Sequence, residues 1–144
     1  MLQKKGIVSH FEIAFFANTN ALQMLCICFP YPEAIYETIK KYSAYQGVKN
    51  IIITENGAAF NDKPENNRVH DHERTHFLSN YIAQVYRAKK EGHKVQGYFV
   101  WSLTDNFEWA EGYYPRFGLV YIDYETQKRI IKDSGHWFKK FLKA

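Results

Sequence analysis

A chain of 144 residues buries one ordinary hydrophobic core, and its 46% hydrophobic and 24% charged residues exclude general disorder. The formal net charge of +4 comes from lysines scattered among acids, as in Lys89-Lys90-Glu91, and from Lys139, Lys140 and Lys143, which excludes a nucleic-acid-binding stripe. Cys26 and Cys28 lie too close for an ordinary disulfide and lack the companions that a zinc site needs, so a reducing, cytoplasmic setting is the expectation.

In chain order, residues 1–30 sustain neither a helical nor a strand period, and their apolar runs are split by Asn18-Thr19-Asn20, which predicts neither a signal peptide nor a membrane span. From Pro32 the pattern becomes regular. Ile35, Tyr36, Ile39 and Tyr42 fall on one helical face, with proline near the first turn and Gly47 beyond the end. This helix leads into a strand over 48–54, whose core is Ile51-Ile52-Ile53 and which Asn56-Gly57 is expected to break just after Glu55. A polar loop over 61–69 follows, with Pro64 and three asparagines. A second helix is predicted after Asp71, a good N-cap, with Phe77, Leu78, Tyr81, Ile82 and Val85 on one stripe and Gly92 closing it. A strand over 95–101 comes next, with the composition of one buried on both faces. Strand, helix and strand in this order predict a right-handed parallel βαβ unit. An extended segment over 119–124, a turn at Glu125-Thr126-Gln127 and a final helix from about Ser134 complete the chain, with Trp137, Phe138, Phe141 and Leu142 on the helix's inner face.

The chemistry gathers at the ends of the two strands. A carboxylate at the last residue of a buried strand, as at Glu55, is costly unless it faces a polar cleft, so it is either a surface acid or a functional one. After the second strand, Asp105, Glu108 and Glu111 alternate with Trp101, Phe107, Trp109, Tyr113 and Tyr114. That mixture suits a sugar: pyranose rings lie with their CH-rich faces on indoles, and their hydroxyls need charged acceptors. The bland reading of Phe107 and Trp109 is core packing beneath the loop, and Asp105 and Glu111 read as loop-structuring acids. His72-Glu73-Arg74-Thr75-His76 satisfies H-E-x-x-H, the zinc-protease signature, but sits in the first turn of its helix, is flanked by charge and has no clear third ligand.

Thr54-Glu55-Asn56-Gly57 followed by Trp101-Ser102-Leu103-Thr104-Asp105-Asn106-Phe107-Glu108-Trp109 resembles the family 1 glycoside hydrolases, the β-glucosidases and their relatives. Arg116-Phe117-Gly118-Leu119-Val120-Tyr121-Ile122-Asp123-Tyr124 and Lys132-Asp133-Ser134 extend the resemblance, which runs from about Tyr31 to the C-terminus. It implies an α/β fold made of the last two βα units of a TIM (β/α)8 barrel, incomplete on its own, since a whole barrel takes about 250 residues and rarely fewer than about 200. Residues 1–30 match no part of the family and are set apart as a frame-shifted or disordered start; 31–144 are the barrel's C-terminal part.

The resemblance makes Glu55 the catalytic nucleophile of a retaining glycosidase, Trp101 the platform for the sugar ring, and Glu108 and Trp109 the holders of its hydroxyls. Relatives acting on phosphorylated sugars usually carry serine at the position of Glu108. A carboxylate there repels a phosphate, so the implied substrate is an unphosphorylated β-glucoside or β-galactoside. The family's Asn-Glu-Pro tripeptide, source of the general acid/base, occurs nowhere in the 144 residues, so little or no activity is expected of this chain alone. At the position of His72 the family often has proline, which weakens the zinc reading. No cofactor and no metal is implied. The alternative expectation is a non-catalytic fragment, in which Trp101, Glu108 and Trp109 hold sugar or open strand edges recruit a companion chain that supplies the missing strands.

Overall fold

The computed structural model describes residues 9–17, 20–28 and 31–144. Its elements are β1 (Ser9–Ala17), β2 (Asn20–Cys28), α1 (Glu33–Ser43), β3 (Asn50–Ala58), α2 (His72–Lys90), β4 (Val95–Val100), a 3-10 turn at Trp109–Glu111, β5 (Val120–Ile122), β6 (Arg129–Ile131) and α3 (Asp133–Phe141). The main sheet has the order β2-β1-β3-β4, and β5 pairs with β6 in a separate antiparallel ribbon. No regular element is expected before residue 31, yet β1 forms there and pairs antiparallel with both β2 and β3. Its pairing with β3 joins residues far apart in sequence, which local periodicity does not report. Expectations for the side chains of Cys26 and Cys28, and for residues 1–8, 18–19 and 29–30, lie outside the described residues.

The predicted βαβ unit is present: β3 and β4 are parallel, with Ile52 beside Gly97, Ile53 beside Tyr98 and Asn56 beside Val100, and α2 makes the crossover. Its core is the one the apolar spacing predicts. Ile35 and Ile39 of α1, Ile51 and Ile53 of β3, and Leu78 of α2 are fully buried in one cluster, with Phe77, Tyr81, Val85 and Ala88 continuing the α2 stripe. Two edges of this picture differ from expectation. On β4, Phe99 is 60% exposed, because a strand is buried on both faces only where both are covered. On α3, Trp137 and Phe138 are half-buried against the core while Phe141 and Leu142 are exposed, lining an apolar groove between α2, β4 and α3.

Asp71 departs from its expected role. It stands at the N-cap position of α2, but its side chain makes no capping bond to that helix. Its carboxylate instead accepts from the Ser134 amide at 2.8 Å and the Ser134 hydroxyl at 2.5 Å, so it satisfies the first turn of α3. Asp133 N donates to the Val69 carbonyl at 3.1 Å, and the starts of α2 and α3 are thereby latched together. Among the described residues no helix is long and apolar enough to cross a membrane.

Leu78→Ala opens a cavity in a fully buried site and is expected to cost about 2–5 kcal/mol, whereas Leu142→Ala on the exposed rim stays within about 0.5 kcal/mol. Denaturant midpoints of the two variants check both figures.

Candidate active site

β3 does not stop at Glu55. It runs on through Asn56 and Gly57 to Ala58, and the Asn-Gly pair packs where a turn is expected. The Asn56 carbonyl accepts from the Trp101 amide at 3.0 Å, and its side-chain oxygen accepts from the Tyr98 hydroxyl at 2.6 Å. Burial pushes that phenol well above its ordinary range, so it remains a donor at every physiological pH. A Cβ on Gly57 would lie 1.6 Å from the Trp101 carbonyl oxygen, so glycine is needed for the two strands to close up. The half-buried Glu55 is thereby fixed at the same end of the parallel pair as Trp101, whose peptide to Ser102 is cis.

The loop beyond β4 is held by its own polar groups. Ser102 Oγ donates to the Thr104 carbonyl at 2.8 Å, and Asn106 Nδ2 donates to Ser102 Oγ at 3.0 Å. Tyr124 donates to the Asn106 carbonyl at 3.2 Å, and the rings of Phe107, Tyr113 and Tyr124 meet in sequence at 5.2 and 4.5 Å. At the tip, the Glu108 amide donates to the Gly112 carbonyl at 2.8 Å, and Trp109 adopts a left-handed φ of 41°. Trp109 is 82% exposed and Phe107 56%, so the core-packing reading fails for both: neither lies under the loop. Glu108 is the reverse case. Its Oε2 is buried without a hydrogen-bond partner among the described residues, a state that costs free energy unless a donor is brought to it.

Beneath these loops lies a charged network that the sequence reading missed. Lys132 has no exposed surface, and its ammonium donates to Asp62 at 2.5 Å and Asp105 at 2.8 Å. Asp105, expected to structure the loop, does so: it also accepts from the Gly118 amide at 2.9 Å and from Arg116 at 3.2 Å. Arg74, buried in α2, donates to Asp62 at 2.5 Å and to the Arg116 carbonyl at 2.7 Å, with its guanidinium 5.0 Å above Phe60. Burial pushes the Asp62 carboxyl up against the pull of Arg74 and Lys132, and pushes the Lys132 ammonium down, with the charge of Arg74 adding to it. The contacts of Lys132 with Asp62 at 2.5 Å and Asp105 at 2.8 Å favour the charged forms and oppose that burial. The available signal was the run Lys132-Asp133-Ser134, but a lysine followed by an aspartate and a serine ordinarily reads as surface.

Of the sequence-predicted site residues, Glu55 and Trp101 are thus brought together by strand register, Glu108 is half-buried on the adjoining loop, and Trp109 is held out into solvent. The zinc motif does not assemble as its spacing suggests. His76 Nε2 lies 3.0 Å from Asn80 Nδ2, and among the described residues the group of three donors is His70, His72 and Asp133.

Comparison with known proteins agrees with this geometry. The model of the family described as glycosyl hydrolase family 1 matches residues 12–144, and the chain belongs to that family. Beta-glucosidase A of Thermotoga maritima is 54% identical over 113 residues, which are 78% of this chain and 25% of the relative. A 6-phospho-beta-galactosidase of Leptotrichia buccalis is 43% identical over 76% of this chain and 24% of its own length. The solved family 1 β-glucosidase of Thermotoga maritima in complex with isofagomine lactam superposes with a TM-score of 0.78 at 46% identity, covering 84% of this chain and 30% of that one. The chain therefore spans about a quarter of the length of the curated relatives it matches. Its fold is part of a TIM (β/α)8 barrel, in which β3, α2, β4 and α3 keep the barrel's order. The family match begins at residue 12, within β1, whose antiparallel pairing lies outside the all-parallel pattern of such barrels.

Lys132→Met removes the ammonium that Asp62 and Asp105 share, leaving Asp62 to Arg74 and Asp105 to Arg116 and the Gly118 amide, with an expected cost of about 3–5 kcal/mol. Thermal unfolding followed by circular dichroism measures it; a loss below about 1 kcal/mol would mean the network is not held in solution as it is here.

Proposed function

We propose that this chain carries the nucleophile and the sugar-binding side of a retaining β-glycosidase acting on unphosphorylated β-glucosides or β-galactosides. The observation that supports this most directly is the close seating of Asn56-Gly57 against Trp101, which sets Glu55 beside the loop bearing Glu108. In such an enzyme the carboxylate attacks the anomeric carbon while a second carboxyl, about 5–5.5 Å away, protonates the departing oxygen. Water then releases the sugar from the covalent ester. Glu55 is proposed for the first task, Trp101 for packing the ring, and Glu108 for a glycone hydroxyl that would satisfy its buried oxygen.

Identity alone does not select the substrate, since one relative of 43% identity is a 6-phospho-beta-galactosidase. Charge does: a carboxylate at position 108 repels a phosphorylated sugar and attracts neutral hydroxyl donors. The general acid of the mechanism has no Asn-Glu-Pro counterpart in these 144 residues. Efficient turnover thus requires strands beyond those described, from a companion chain or otherwise, because acid–base assistance is worth about 10²–10⁴-fold.

A nitrophenyl β-glucoside tests the nucleophile, because its good leaving group lessens the need for the absent acid. Residual hydrolysis is expected to vanish in Glu55→Gln; hydrolysis that persists unchanged in the variant removes Glu55 from the mechanism. Sugar binding without turnover is a second reading, favoured by the open Glu108 oxygen and the outward Trp109. Tryptophan fluorescence titrated with glucose and cellobiose is expected to saturate, and Glu108→Gln to weaken the affinity about tenfold, as fits the loss of one charge-assisted hydrogen bond. A flat titration of the unsubstituted chain rejects this second reading.

A further inference from the structure

The latch between α2 and α3 has a consequence at the surface. Asp71 is turned inward to Ser134, and the residues on either side of it, His70 and His72, are left outside with Asp133, the neighbour of Ser134. His70 Nδ1 lies 2.7 Å from an Asp133 oxygen, the His70 and His72 rings are stacked at 6.1 Å, and one ligand atom from each of the three residues lies within 4.8 Å of the others. We propose that His70, His72 and Asp133 form a surface site for a divalent transition-metal ion of the zinc class, separate from the sugar site.

Three features carry this. The donor set of two imidazoles and one carboxylate is one that zinc, nickel and copper accept, whereas calcium and magnesium require oxygen donors. The donors come from two elements whose relative position is already fixed, by Ser134 N to Asp71 at 2.8 Å and Asp133 N to Val69 O at 3.1 Å, so binding orders little further chain. The spacing is also nearly right. Ligand atoms about 2.0–2.1 Å from a tetrahedral zinc stand about 3.4 Å apart, between the 2.7 Å of the His70–Asp133 contact, which the ion would replace, and the 4.8 Å that bounds the group. The positive ends of the α2 and α3 dipoles oppose a cation here, and the carboxylate of Asp133 in the first turn of α3 offsets them.

The site differs from the one that H-E-x-x-H spacing suggests, because His76 takes no part in the three-donor group. Three protein ligands leave a fourth position to water, and the site joins the first residue of one barrel helix to the first residue of the next. An ion there would cross-link the helix starts on the side of the barrel where the strands end, the side that carries Glu55. Its effect is on the stability of that rim, not on the sugar chemistry.

Isothermal titration of the tag-free full chain with zinc chloride tests this. One equivalent is expected to bind, with a zinc-dependent rise in thermal midpoint. His72→Ala and Asp133→Asn are each expected to weaken binding at least about tenfold, while His76→Ala leaves it unchanged. Circular dichroism of the metal-free variants verifies that each retains its fold. Absence of saturable binding, or loss of binding in His76→Ala with retention in Asp133→Asn, overturns the assignment.

Discussion

Five segments of this chain meet at one buried ammonium group. Lys132, at the junction of β6 and α3, binds Asp62 from the loop after β3 and Asp105 from the loop after β4. Arg74 from α2 reaches the same Asp62, and Arg116 the same Asp105. Taking these charges out of water is costly, and an apolar cluster of equal volume is often at least as stable. An apolar cluster is not directional, however. Here Asp62 Oδ2 accepts from both Lys132 and Arg74, both oxygens of Asp105 are taken, one of them by the backbone amide of Gly118, and the two strand-end loops can adopt few other arrangements without stranding a charge.

The network explains why the loops after β3 and β4 are ordered although they contain little regular structure. Asp105 ties the start of the aromatic loop to the 116–122 segment, and Tyr124 ties that segment back to Asn106. Between those ties the loop tip is free to project, which is where Glu108 keeps a buried oxygen open and Trp109 stands in solvent. The tied base and the projecting tip together present an exposed indole beside an unpaired carboxylate oxygen.

The helices α1 and α2 and the strands β3 and β4 were legible because burial on one face imposes a period on the sequence, and Ile35, Ile39, Ile51, Ile53 and Leu78 obey it. The candidate roles of Glu55, Trp101 and Glu108 rest on motif resemblance, and the structure adds where these residues lie. What was not legible has a common cause. Asn56-Gly57 looks like a turn, yet the glycine is there because a neighbouring carbonyl comes too close for any side chain. Asp71 looks like the cap of the helix it precedes, yet it caps another one 63 residues later. Lys132 looks like surface because its partners lie 27 and 70 residues away. Each of these depends on a non-local contact, and a local pattern carries no trace of the partner.

The same distinction separates the two halves of the proposed chemistry. The end of β3 that carries Glu55 is seated against β4 by the Asn56 carbonyl on the Trp101 amide and by the Gly57 backbone against the Trp101 carbonyl. Both contacts lie within the described residues, and they set the proposed nucleophile at the start of the loop that follows β4. A general acid has to approach from the opposite side of the bond being cleaved, at a separation fixed to within about an ångström. That separation is a property of barrel closure, to which distant strands contribute. Of the two halves of the proposed chemistry, one rests on contacts between neighbouring strands and the other on closure of a whole barrel.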